Sequence, residues 1–194
     1  METKNRAMLN SVRLAFPVIE KPELFQGQGK PRYSATLLYE PGSANEKAIK
    51  AAMLAAAAAK WGESKAAKAV EGLTKAGKVA IGDGDEKDKY DGFAGKMYVQ
   101  AHARENTPPG LYGPRKEQLP RNTGMIYAGC YVNASIEFWA QDNQYGKRIN
   151  ASLRGLQFVR DGDAFSGGRP ASADEFEDVE GVSEDETATE DDFA

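Results

Sequence analysis

Cys130, Val132, Ala134, Ile136 and Phe138 alternate with Tyr131, Asn133, Ser135, Glu137 and Trp139, and no other stretch narrows the possible folds as much. A period of two puts the apolar set on one face of a half-buried strand. After a polar connection from Gln141 to Gly146, Ile149, Ala151 and Leu153 alternate with Arg148, Asn150, Ser152 and Arg154, which makes the pair a hairpin. Beyond Gly155 the parity flips, because the next apolar residues are Leu156 and Phe158. A glycine at a parity flip is what a β-bulge requires, and bulges bend small sheets far enough to close into a barrel.

The remaining elements fit the same architecture. Val12, Leu14 and Phe16 predict a strand from Asn5 to Phe16 that Pro17 stops, and Pro22, Gly27, Gly29 and Pro31 then predict a loop. Arg32 to Tyr39 is β-branched and aromatic enough for a second strand, ended by Pro41-Gly42. Ser43 and Glu46 have capping-box spacing ahead of an alanine-rich helix from Ala44 to Lys60, and a second helix follows from Ser64 to about Leu73. From Gly95 to Arg104, Met97, Val99, Ala101 and Ala103 alternate with Lys96, Tyr98, Gln100, His102 and Arg104, a strand with a basic and aromatic outer face. The prolines and glycines of 105–124 leave no room for a regular element, and a loop that long is more often functional than idle. The expectation is a mainly β chain with a helical insertion (α+β), an OB-fold-like five-stranded barrel over residues 1–170 and a disordered acidic tail over 171–194.

Charge divides the chain at the same boundary. From Ala171 onward there are eleven acidic residues and no Lys or Arg, which leaves eighteen of the 29 acids to face all 25 basic residues, a surplus of about seven on the body. A basic body with a polyanionic tail points to a polyanion as ligand and to an internal competitor for the same surface, although a merely solubilising tail gives the same count.

Tyr33, Tyr98, Tyr131 and Trp139 lie near strand faces that also carry Lys96, Arg104, Lys147, Arg148 and Arg154, and the long loop adds Arg115, Lys116 and Arg121. Aromatics interleaved with cations suit unpaired nucleic acid, since every base has a π-face and every backbone unit a phosphate. Core rings beside a solvated cationic face are the bland alternative. In the tail, Asp191, Asp192 and Phe193 place one aromatic anchor among acids, the chemistry of a partner-binding end.

Other chemistries find little support. Asp83, Asp85 and Asp88 suggest a metal-dependent nuclease, but Lys87, Asp88 and Ala94 break the calcium-loop pattern, and a solvated turn explains them. With one cysteine, Cys130, and one histidine, His102, a Cys/His zinc cluster within one chain is excluded. No catalytic residue, metal or cofactor is expected. No apolar run approaches a membrane span and no signal-like segment follows Met1, so a cytoplasmic location is expected, in a host cell if the chain is phage-encoded.

The runs Gly129-Cys130-Tyr131-Val132-Asn133-Ala134, Phe138-Trp139-Ala140-Gln141-Asp142-Asn143 with Tyr145-Gly146, and Leu156-Gln157-Phe158-Val159-Arg160-Asp161-Gly162 are similar to those of a phage single-stranded DNA-binding family formerly labelled a domain of unknown function. Leu9-Asn10-Ser11-Val12-Arg13-Leu14-Ala15-Phe16 and Gly82-Asp83-Gly84-Asp85 extend the resemblance over the body. It implies an OB fold that coats single-stranded DNA in phage replication, recombination or repair without catalysis. It further implies that the tail recruits replication or recombination proteins and shields the DNA groove, as in T7-like and bacterial single-strand binders. Two features depart from that pattern: the aromatic is penultimate because Ala194 follows Phe193, and the helices come after the second strand instead of the third. The groove so expected uses Tyr98, Trp139, Arg104, Arg148 and Arg154, with the loop 105–124 closing over the strand. A nuclease, or an interaction hub whose tail is the main functional element, stands as the alternative.

Overall fold

The structure, a computed structural model, describes residues 4–165. In chain order the elements are β1 (Arg6–Phe25), β2 (Gln28–Tyr39), α1 (Ala44–Trp61), α2 (Glu63–Lys75), β3 (Ile81–Asp83), a 3-10 turn at Gly84–Lys87, β4 (Met97–Arg104), β5 (Gly110–Tyr112), β6 (Tyr131–Asn143) and β7 (Gly146–Arg160). They form one sheet in the order β3-β4-β2-β1-β6-β7-β5, and a further parallel pairing of β4 with β7 closes it. Five strands, β4, β2, β1, β6 and β7, are therefore a closed barrel, and β3 and β5 are short additions to it. Closure leaves the main strands without a long free edge.

The alternating residues supply the interior. Val132, Ala134, Ile136 and Phe138 of β6 and Ile149, Ala151, Leu153 and Leu156 of β7 are all buried, in one cluster with Leu9, Leu14, Leu37 and Val99. The register of β6 against β7 shifts where Ser135 pairs with Gly155 and Ile136 with Leu153, so Arg154 is the extra residue of a bulge at the position of the parity flip. The α1 helix starts as its capping sequence dictates, with the Ser43 hydroxyl accepting from the Glu46 amide at 3.3 Å, and it buries Ile49, Ala52, Met53, Ala56 and Ala57. A second bulge lies in β1, between the Leu9 and Val12 pairings with β6, where Ser11 has φ +48°. Its backbone groups are satisfied by side chains: Asn45 both donates to the Asn10 carbonyl and accepts from its amide at 2.9 Å, and Asn133 accepts from the Ser11 amide at 3.0 Å.

Several expectations require correction. Pro17 does not stop the first strand. It falls between the Ala15 and Val18 pairings, where the ladder is already interrupted and a missing N–H costs nothing, and β1 runs on to Phe25. Gln26 and Gly27, both at positive φ, then turn directly into β2, so the expected loop is a protruding hairpin arm. The connection within the long hairpin shrinks to Gln144-Tyr145, because Asn143 pairs with Gly146. The segment 105–124 does contain an element: β5 pairs in parallel with β7 and buries Leu111. The two helices lie between the second and third barrel strands, so the order itself differs from a standard OB barrel. The tail and its boundary at residue 170 lie outside the described residues.

Phe138 is wholly buried. Phe138→Ala is expected to lower unfolding stability by about 3–5 kcal/mol, read from the urea midpoint.

Candidate nucleic-acid interface

Two strands present a basic surface. On the outer face of β2 and β4 the opposed pairs are Arg32 with Arg104, Ser34 with His102, Thr36 with Gln100 and Leu38 with Tyr98. Like charges directly across a ladder repel, so the two arginines favour an anion between or above them. Arg32 also stacks on Phe25 of the arm, 4.9 Å from the ring centroid. His102 lies next to this pair with its Nδ1 buried and without a hydrogen bond among the described residues. Burial, reinforced by the charge of Arg32, pushes its pKa down to about 4, so the imidazole is neutral near pH 7.

Ser152 pairs with His102 across the closure, so this face continues onto β7 and β6. There Trp139 is 43% exposed opposite Asn150, and Arg148 is exposed opposite Gln141. Helix α1 holds this hairpin in place: Trp61 Nε1 donates to Asp142 Oδ2 at 2.8 Å, and Lys147 lies 3.6 Å from the same carboxylate and 5.4 Å from the Trp61 ring. The Trp61 hydrogen bond, helped by Lys147, keeps the Asp142 carboxyl below its usual range. Arg154 and Arg6 both reach Glu137, at 2.9 and 3.1 Å. Burial alone would raise the Glu137 pKa, but the two guanidinium groups outweigh it and lower it.

A lateral row of outer residues crosses all five strands below this face: Tyr98, Leu38, Arg13, Tyr131 and Arg160 are successive cross-strand partners. Arg160 stacks 3.5 Å from the Tyr131 centroid, and Arg13 lies 4.3 Å from Phe165. Beside Tyr98, Phe93 contacts Phe16 and Tyr90, and Phe16 meets Tyr90 edge-on at 5.1 Å. Phe16 is held out at φ +47°, half exposed, by the irregularity next to Pro17.

The sequence-predicted residues are thus divided. Tyr98, Arg104, Trp139, Lys147, Arg148 and Arg154 lie on the continuous outer surface of β4, β7 and β6, and Tyr131 belongs to the lateral row. Lys96 is tied to Glu40. Tyr33 is 7% exposed inside the barrel and has no face free for a ligand. Arg121 is a structural strut, donating to the Ile19 and Pro109 carbonyls and lying 5.4 Å from the Tyr33 ring. Arg115 and Lys116 stand on an exposed turn after β5, away from the β2–β4 face. Asp191, Asp192 and Phe193 lie outside the described residues. Sequence reasoning passed over Arg13, Arg32, Phe16, Phe25 and Arg160, although the parity of Arg13 against buried Val12 and Leu14 was readable.

Nothing in the turn at 83–88 favours a metal. Asp83 accepts from the Asp85 amide and Asp85 from the Gly95 amide, and the described residues hold no group of three or more His, Cys, Asp or Glu placed to bind an ion. Cys130 is buried, which pushes its thiol up to about 11. No described helix is long and apolar enough to cross a membrane.

A closed five-strand barrel with a basic, aromatic outer face is an OB-type binding fold, whose ligands meet the second and third barrel strands and the loops beside them. The chain belongs to the family described as Enterobacter phage Enc34, ssDNA-binding protein, whose model matches residues 5–193. A protein of Acyrthosiphon pisum secondary endosymbiont phage 1, called putative protein p50, is 40% identical over 181 residues, 92% of this chain and 96% of the relative. Among solved structures, the single-stranded DNA-binding protein from bacteriophage Enc34 in complex with ssDNA superposes with a TM-score of 0.64 at 27% identity, covering 84% of this chain and 90% of that one. The fold is also that of gp2.5, a single-stranded DNA-binding protein encoded by bacteriophage T7, with a TM-score of 0.53 at 12% identity over 90% of this chain and 97% of that one.

The depressed pKa of His102 links stability to pH. The unfolded chain takes up a proton near pH 6.5 that the fold refuses until about pH 4, so stability is full above 6.5 and is lost as pH falls through that window. The expected loss is roughly 1–3 kcal/mol, and His102→Gln should abolish this part of the pH dependence of the urea midpoint.

Proposed function

We propose that this chain is a non-catalytic, sequence-independent single-stranded DNA-binding protein acting in phage replication, recombination or repair in the host cytoplasm. The observation that carries this reading is the Arg32–Arg104 pair on the barrel face where OB folds take oligonucleotides, continuous with exposed Trp139 and Arg148, in a member of a single-stranded DNA-binding family. Arginines on that face contact phosphates, Trp139 and Tyr98 stack on bases, and the absence of sequence preference follows because neither contact reads a base edge. Phe25, at the end of the arm and 60% exposed, borders the same face.

The acidic tail, residues 171–194, competes with DNA for this face and presents Asp191, Asp192 and Phe193 to replication or recombination proteins. Support comes from charge, since eleven acids are tethered to a body with a basic surplus, and from the path of the chain. After β7 it recrosses the barrel, where Arg13 donates to the Asp163 carbonyl at 2.7 Å and Phe165 packs against the cluster of Ala15, Leu38 and Phe93. The described chain therefore ends, at Phe165, beside the lateral row of cations and aromatics.

Fluorescence anisotropy with labelled oligo-dT and a matched duplex tests the reading. The expected result is preference for the single strand, log affinity falling with log salt at about −0.7 per phosphate neutralised, and a loss of about 1–3 kcal/mol for Trp139→Ala. Salt-independent affinity, or equal binding of duplex, overturns it. A 1–170 truncation is expected to bind oligo-dT more tightly than the full chain at low salt, with the difference shrinking as salt rises. Unchanged binding removes the competing role of the tail and leaves the DNA face standing.

A further inference from the structure

Away from the β2–β4 face, the opposite side of the barrel carries a cleft of about 310 Å³ that neither the fold nor the face above explains. Its floor is a cross-strand row of small residues: Ser135 of β6 pairs with Gly155 of β7, which pairs with Gly110 of β5. Met8 of β1, opposite Ser135 and 55% exposed, forms one wall. Tyr112 of β5, 40% exposed, forms the other, with its ring laid over Gly110, where a Cβ would meet it. Asn133 and Gln157 run along one side, joined by a 3.0 Å hydrogen bond, and Lys116 closes the end, with exposed Arg115 preceding it.

These parts belong to the chemistry of a nucleotide. An exposed phenol and an exposed thioether facing each other across a backbone floor make an apolar slot for a flat ring, and polar side chains lie along one side of it. Lys116 and Arg115 stand at the end where a phosphate would sit, with the Glu117 carboxylate turned to the Arg115 amide. The bulge that sets the direction of β7 also opens the floor, since Gly155 has no side chain to fill it.

Continuity selects the occupant. Along the outer ladder of β6, the one residue between Trp139 and Ser135 of the cleft floor is Glu137, and it carries Arg154 and Arg6, two cations on one carboxylate. A single strand that leaves the β2–β4 face over Trp139 and Arg148 therefore meets a net positive step and then the slot. We propose that this cleft is a second contact for the same DNA strand, in which a base stacks on Tyr112 beside Met8 and the adjoining phosphate pairs with Lys116. This rests on the single-stranded DNA reading above. Short oligonucleotides fill the first face alone, and only a strand long enough to pass round the β6–β7 hairpin reaches the second.

The test compares an oligo-dT at the low end of the roughly 4–16 nucleotides covered by one OB fold with one of about 30. Wild type, Tyr112→Ala and Tyr112→Phe are titrated with both. Tyr112→Ala is expected to lose about tenfold in affinity for the long strand and nothing for the short one, and Tyr112→Phe, which keeps the ring, is expected to match wild type. An equal loss on both lengths, or no loss on either, overturns the second contact. A wild-type dimer that Met8→Glu splits, with both affinities unchanged in Tyr112→Ala, assigns the cleft to a second copy and also overturns it. Failure of the wild type to bind either strand overturns the proposed function itself, a result distinguishable from failure of the cleft alone.

Discussion

The barrel closes where β4 meets β7, and the two strands share a single ladder pair, His102 with Ser152. Parallel strands that cross at an angle cannot stay paired for long, and here the gap that opens on one side is filled from within the chain. Residues 78–83 enter as a wedge: Val79 bridges Ile149, the Ile149 amide donates to the Lys78 carbonyl, the Gln100 amide donates to the Ala80 carbonyl, and β3 pairs with β4. The wedge is delivered by the helical insertion, so α1 and α2 do more than cover apolar surface. They position the segment that completes the hydrogen bonding of the closure, and α1 fixes the β6–β7 hairpin through Trp61 and Asp142. The continuity of the outer surface from Arg32 and Arg104 to Trp139 follows from that closure.

Much of this was legible because the barrel strands are bounded by one wet and one dry face. The alternation in β4, β6 and β7 identified interior and exterior, and the flip at Gly155 located the bulge, because a change of parity in a strand has few other causes. What could not be read depends on partners distant in sequence. Pro17 reads as a stop signal, and only the interrupted pairing of β1 with β2 lets a strand pass through it. The three residues of β5 show no periodicity, and their strand character comes entirely from pairing with Gly155 to Gln157.

The candidate site was legible to the same degree and for the same reason. Tyr98, Arg104, Trp139 and Arg148 follow from parity in strands with a clear polar side. In β2 that signal fails, because Leu37 and Leu38 are both buried: one faces the barrel, and the other packs with Ala15 and Phe93 beneath the aromatic cluster outside it. With both faces apolar, Tyr33 and Arg32 cannot be assigned to sides by pattern, and Tyr33 was placed on the wrong one. Among the cations of the long loop Arg121 was misjudged through geometry: it spends its donors on carbonyls, a role that composition does not reveal.

Burial of one imidazole bears on how the basic face is poised. His102 lies beside two opposed arginines, and a third positive charge there would add to a repulsion the ladder already carries. Desolvation keeps it neutral, so the face stores the unfavourable contact of Arg32 and Arg104 and no more. On the proposed function, a phosphate entering above this pair relieves that repulsion in addition to gaining its own attraction. The relief depends on charge and is independent of base identity, which is the energetic pattern a sequence-independent binder needs. Stacking on Trp139 then orients the strand without discriminating among bases, because π-faces are common to all four. The same electrostatics explains why an acidic tail is a suitable competitor: it offers the arginines carboxylates in place of phosphates and has no rings to match the stacking of a full strand, beyond Phe176 and Phe193. On the proposed function, DNA displaces the tail through the aromatic contacts, and salt weakens both ligands through the contacts they share.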